Sequence, residues 1–217
     1  MADIFREVDE EVRRERLKQL WDKYGTLIIA AAFLIIIGIG GWRAYQWWEA
    51  KKAAEAGAIF EAAVTLANEG KHEDAEASFG RIATEGSGGY RTLARLRQAA
   101  ELARHDQAGA VKTYDALASD TGISVVLQDL ARVRAAMLLI DTASLDEMRA
   151  RLEPAAAPGR AFRHTARELM AFAAWRAGNM AETQRWFEAI VADPESPPGT
   201  RTRAEMLMTL AAPEAKS

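Results

Sequence analysis

The sequence contains no cysteine. Disulfides, thiolate metal sites and cysteine nucleophiles are therefore excluded outright. Histidine is scarce: His72, His105 and His164 are scattered, and none has a second histidine at ligand spacing. No metal centre is expected from such a set. His72 stands beside Glu73 and Asp74 at the start of a helical run, where acids complement the helix dipole. Positive charge is not in excess, since the formal net charge is −3. Nothing in that balance points to nucleic acid. Ser78, Ser87, Ser119, Ser124, Ser144 and Ser196 all lack a nucleophile-elbow setting. Glu85-Gly86-Ser87-Gly88-Gly89 is glycine-rich and precedes a helical run, but no Lys-Ser/Thr follows it and no strand precedes it. It is expected to be a turn, not a phosphate loop. No catalytic residue and no cofactor is expected. Valine and isoleucine are sparse outside one run, which argues against sheets.

What is present favours helices. Alanine is abundant and Glu, Arg and Leu accompany it. A chain of 217 residues holds one medium domain with an appendage. The appendage is visible from Tyr24 to Trp42, where no charged residue or histidine occurs. About 19 residues at about 1.5 Å each cross the roughly 30 Å hydrocarbon layer of a bilayer. Trp21 and Tyr24 flank one end, while Trp42, Arg43, Tyr45, Trp47 and Trp48 flank the other. Amphipathic rings at both ends suit two membrane–water interfaces. The apolar core is too long for a signal peptide and is followed by bulky aromatics where a cleavage site would need small residues, so the segment is expected to remain as an anchor.

Four divisions follow: a leader over 1–23, the membrane helix with its aromatic flanks over 24–48, a helical domain over 49–211, and a flexible tail over 212–217. The leader places Ile4, Phe5, Val8, Val12, Leu17, Leu20 and Trp21 near i, i+4 spacing among charges, as an amphipathic helix does. It also carries Arg6, Arg13, Arg14, Arg16, Lys18 and Lys23 against Arg43, Lys51 and Lys52 on the far side. That bias predicts a cytoplasmic N-terminus and a large domain outside; in a bacterium this means a single pass through the inner membrane with the domain in the periplasm.

Self-comparison of the domain finds a repeat. Gly70, His105, Ala143 and Gly178 each open a segment; Ala75, Ala110, Met148 and Thr183 follow about five positions on, then Phe79, Tyr114, Leu152 and Phe187. The four large residues recur about 35, 38 and 35 apart, close to the roughly 34-residue tetratricopeptide period. Helical runs near 53–68, 90–104, 124–140 and 161–177 precede the segments. Ser144 with Glu147 and Asn179 with Glu182 have capping-box spacing. Pro154, Pro158-Gly159 and Asp193-Pro194 are read as breaks between units. A last helix near 200–210 would cap the stack. Trp175, Trp186, Phe172 and Phe187 are expected in the core of the fourth unit. The expected fold is thus all-α: one transmembrane helix, then a tetratricopeptide-like solenoid of about four helix pairs and a capping helix.

Stacked pairs make a concave surface that takes peptides or helices of partner proteins. Arg91, Arg95, Arg97 and Gln98, on one helix, are the candidate polar contacts. Gly41-Trp42-Arg43, Phe60-Glu61-Ala62-Ala63-Val64, Glu69-Gly70-Lys71, Tyr90-Arg91-Thr92-Leu93-Ala94-Arg95-Leu96 and the closing pair with Trp186 follow in an order that resembles the bacterial YfgM-type family, the tetratricopeptide-like ancillary subunits of the Sec translocon. The resemblance implies association with SecYEG, periplasmic chaperones or secreted chains. The long charged leader and the glycine-rich stretch depart from that pattern. The alternative is a homo-oligomeric organiser of envelope assembly or division with the same architecture.

Overall fold

The computed structural model describes residues 2–86 and 88–211, and side chains for 14, 15, 18, 21–86 and 88–209. Expectations for the leader's other side chains, for Ser87 and for the tail over 212–217 lie outside the described residues. Among those described there are nine helices and no strand. They are α1 (Ala2–Asn68), α2 (His72–Glu85), α3 (Gly88–Leu102), α4 (Gln107–Ala118), α5 (Val125–Leu139), α6 (Leu145–Ala156), α7 (Arg163–Arg176), α8 (Met180–Val191) and α9 (Pro198–Ala211). The chain forms two compact units, Met1–Glu55 and Ala56–Ser217.

In the first unit the apolar run is left almost wholly uncovered by the described residues. Between Leu27 and Ile39 the large aliphatic side chains and Phe33 are all half or more exposed. An 18-residue stretch reaches a mean hydropathy of 2.2 with only 6% of it buried. This is one helix, near the N-terminus, long and apolar enough to cross a membrane.

The second unit is built from pairs. The last turns of α1 pair with α2, α3 with α4, α5 with α6, and α7 with α8, and each helix packs on the next in the chain. Each large repeat residue is buried at the centre of a separate core. Phe79 lies with Ala63, Ala75, Ile82 and Ala94; Tyr114 with Leu96, Leu117 and Ala131. Leu152 lies with Val133, Met148 and Met170; Phe187 with Ala171, Ile190 and Ala204. Every core is closed by the first helix of the following unit, and the fourth by α9. Alanines, buried completely at Ala63, Ala75, Ala94, Ala99, Ala110, Ala131 and Ala173, let the helix axes approach.

Local chemistry sets the turns. Gly70 and Gly178 adopt φ of 81° and 74°, the left-handed region that a Cβ resists, and end α1 and α7. The amide of Lys71 then reaches the Leu66 carbonyl at 2.9 Å, and that of Asn179 the Ala174 carbonyl at 2.9 Å. Ser144 and Glu147 form a complete capping box. Asn179 caps α8 by accepting from the Glu182 amide at 3.1 Å, but the Glu182 carboxylate does not return to the Asn179 backbone; it takes Arg149 of α6 at 2.8 Å. Pro198 opens α9 at the position where its missing N–H costs nothing.

Two further expectations are corrected. Pro154 does not break the chain: α6 runs through it to Ala156. One hydrogen bond to the preceding turn is lost, but Ala155 and Ala156 beyond it are buried in the third core, and that packing holds the last turn in place. Trp175 is not in the core of the fourth unit, since it is 54% exposed. Phe172 and Phe187 do meet, edge to face at 6.2 Å.

Candidate functional site: the arginine groove

The helix period decides which side chains of the first helices are left for a partner. On α3, Leu93, Arg97 and Ala100 share one face at i, i+4, i+7 spacing. On α5, Val126, Leu130, Arg134 and Met137 do the same. Leu93, Val126 and Met137 are 41–50% exposed despite being apolar. Leu93, Arg97 and Ala100 of the first face and Leu130 and Arg134 of the second line a cavity of about 430 Å³, with Val126 and Met137 farther along the α5 face. Phe60 of α1 forms one wall, its ring edge-on to Phe79 at 5.3 Å and tilted against Tyr90 at 5.7 Å. Leu93, Leu96, Ala100 and Leu130 supply the aliphatic surface, and Arg97 and Arg134 stand beside it.

Tyr114 of α4 also lines the cavity. Its hydroxyl reaches the Leu96 carbonyl at 3.5 Å. Burial pushes the phenol pKa up, against the opposing pull of Arg134 and Arg97. The phenol is therefore neutral near pH 7 and adds no negative charge to neutralise the two guanidinium groups.

The four residues singled out on α3 do not act together. Arg97 faces the cavity. Arg95 points nearly half a circle away and donates to Asp120 at 2.8 Å, which holds that carboxyl below its usual range. Arg91 donates to the Gly86 carbonyl at 2.9 Å and so fastens the glycine-rich turn. Gln98 lies against Gly80 of α2. Arg134 and Leu130 went unnoticed in the sequence. Their signal is an apolar stripe, Val126, Leu130, Met137, interrupted by one arginine on the same face.

The aromatic residues flanking the apolar run are exposed: Trp21, Tyr24, Trp42, Tyr45, Trp47 and Trp48. Twenty-one helical steps from Trp21 to Trp42 measure about 32 Å, the thickness of a hydrocarbon layer. Cations accompany the rings. Lys23 lies 5.3 Å from the Tyr24 centroid and Lys52 lies 3.6 Å from that of Trp48.

Elsewhere the polar groups serve the stack. Arg151 of α6 grips Asp115 of α4 with both ends of its guanidinium, at 3.0 and 2.7 Å. Arg160 donates to the buried Asp129 at 2.8 Å. Arg163 and Arg167 both bind Asp193, whose carboxyl is held well below the usual range by the Arg163 hydrogen bond. His72 meets Glu101 at 2.8 Å, linking α2 to α3. Among the described residues, no group of three His, Asp or Glu is placed to hold a metal ion. His164 and Ser196 touch at 3.0 Å near Asp193, but Ser196 Oγ donates its proton to the Ile190 carbonyl at 2.6 Å. That hydroxyl is spent on structure and is not activated as a nucleophile.

Stacked helix pairs around a concave apolar face typically serve as a scaffold for protein–protein interaction. No curated protein and no solved structure shows a significant match to this chain. The family model of the tetratricopeptide repeat-like domain matches residues 18–201, and the chain belongs to that family.

Proposed function

We propose that the chain is a membrane-anchored protein-binding scaffold of the bacterial inner membrane, working beside the Sec translocon on secreted chains or their periplasmic chaperones. The observation that carries the reading is the groove: large apolar side chains and two arginines are left uncovered on adjacent first helices of a tetratricopeptide-like stack. Apolar side chains are exposed singly elsewhere, as at Trp175 and Met206, but here they gather with two arginines around one depression. The apolar helix and its flanking rings supply the anchor, with Trp21 and Tyr24 at one interface and Trp42, Arg43, Tyr45 and Trp47 at the other. The arginine and lysine bias of the leader supports a cytoplasmic N-terminus and a periplasmic domain. The choice of the translocon rests on the resemblance to its ancillary subunits.

Site-specific crosslinking tests this. A photo-reactive residue at Leu93 or Met137 of the full chain, in native membranes, should crosslink to channel subunits, chaperones or chains in transit. A ladder of self-crosslinked species in their place would favour the homo-oligomeric organiser. No protein adduct from either position would remove the groove from consideration as a binding face.

A further inference from the structure

The arginines of the repeat unit form an internal control. Nearly every one is engaged by the protein itself. Arg95, Arg104, Arg149, Arg151, Arg160 and Arg163 bind carboxylates, as do Arg167, Arg185 and Arg203. Arg91, Arg132, Arg176 and Arg201 donate to backbone carbonyls, and Arg81 to a serine. Among the described residues, Arg97 and Arg134 are the exceptions, and both stand at the same cavity. They come from different helices and different repeats. The two described guanidinium groups of the unit that no carboxylate, carbonyl or hydroxyl engages thus line one apolar depression.

From this we infer that the groove binds an internal acidic–apolar segment of a partner protein, with Asp or Glu side chains held by Arg97 and Arg134 and flanking large apolar residues seated on Leu93, Leu130 and Met137. This deepens the scaffold reading and rests on it. Charge complementarity selects the carboxylate, because guanidinium groups beside a low-dielectric wall pair best with a planar, bidentate anion. The face selects an internal segment over a chain terminus. Apolar residues flank Arg134 on both sides, Val126 and Leu130 before it and Met137 after it, over about 16 Å of helix. A chain ending at the arginines would cover only half of that surface.

The test uses the full chain in lipid nanodiscs and fluorescent 15-residue peptides read by polarisation. One peptide carries Glu-Asp between Leu and Phe residues with both ends blocked; the second has Gln-Asn in place of the acids; the third moves the carboxylate to a free C-terminus. The blocked acidic peptide should bind most tightly and weaken as salt is raised. Arg97→Gln and Arg134→Gln should each weaken it about tenfold and leave the neutral peptide unchanged. Neither arginine holds a structural partner, so the melting temperature of both variants should stay at the parent value. Should either variant melt low, the salt dependence of the parent protein decides alone. Equal binding of acidic and neutral peptides, indifferent to salt and to both substitutions, overturns the inference while leaving the scaffold reading intact. Preference for the free C-terminus also overturns it. Binding of no peptide, together with no crosslinked protein at Leu93 or Met137, overturns both.

Discussion

At the scale of the residue, polar side chains divide into those used up by folding and those held in reserve. His164 belongs to the first kind. Because Ser196 donates to the Ile190 carbonyl, its oxygen accepts from Nδ1–H of His164, which leaves Nε2 as an unprotonated, buried nitrogen without a partner. Burial, then the neighbouring Arg163, pushes the His164 pKa down. The unfolded chain, with an ordinary histidine near 6.5, takes up that proton first. Stability from this site is therefore complete above about pH 6.5 and declines as pH falls from there through the folded value. Asp193, held far lower by Arg163, stays charged across this window. Thermal melts at pH 7.5 and 5.5 should show a drop in the parent protein that His164→Asn reduces. An identical drop in both would mean that the imidazole is already free to charge in the fold.

At the scale of the element, the unit of structure is a helix pair closed by its neighbour. Phe187 is almost fully buried between α7, α8 and α9. Removing a buried Phe side chain costs about 3–5 kcal/mol, and in a unit of this size each kcal/mol lowers the melting point by roughly 2–4 °C. Phe187→Ala should lower it by roughly 10 °C. Because coupling runs between neighbours, amide exchange should quicken mainly in α8 and α9 while α2 and α3 stay protected. An unchanged melting curve would sink the repeat register. That register was legible in the sequence, since a large residue every 35 to 38 positions is set by the geometry of stacked pairs. Pro154 was misread because a local breaker was weighed without the buried Ala155 and Ala156 that override it. The groove was half legible for a similar reason. Arg91, Arg95, Arg97 and Gln98 are neighbours in sequence, but the helix turns them to different sides, and only the comparison of α3 with α5 joins Arg97 to Arg134.

At the scale of the whole molecule, the proposed anchor acts through concentration. A shallow groove with few anchoring side chains binds weakly by itself. Confining it and its partner to one membrane raises apparent affinity by about 10²–10⁴ without a new contact. A freed fragment from Ala50 to Ser217 should therefore lose most of its association with the partner, and an unrelated membrane helix fused to Ala50 should restore it. Failure of the substitute helix would mean that the native one touches the partner directly, with Ala31, Gly38 and Gly41 as the small residues that permit close approach. Co-purification of the freed fragment at the level of the full chain would reduce the anchor to an address. The chain of four cores also bears on how such a protein is made. Each core waits only for the first helix of the next unit, so a polypeptide that emerges N-terminus first can seal them one after another, in the order of synthesis. At no moment is more than about one unit of apolar surface left open, and a ribosome that stops between units leaves behind a shorter stack lacking only its final lid.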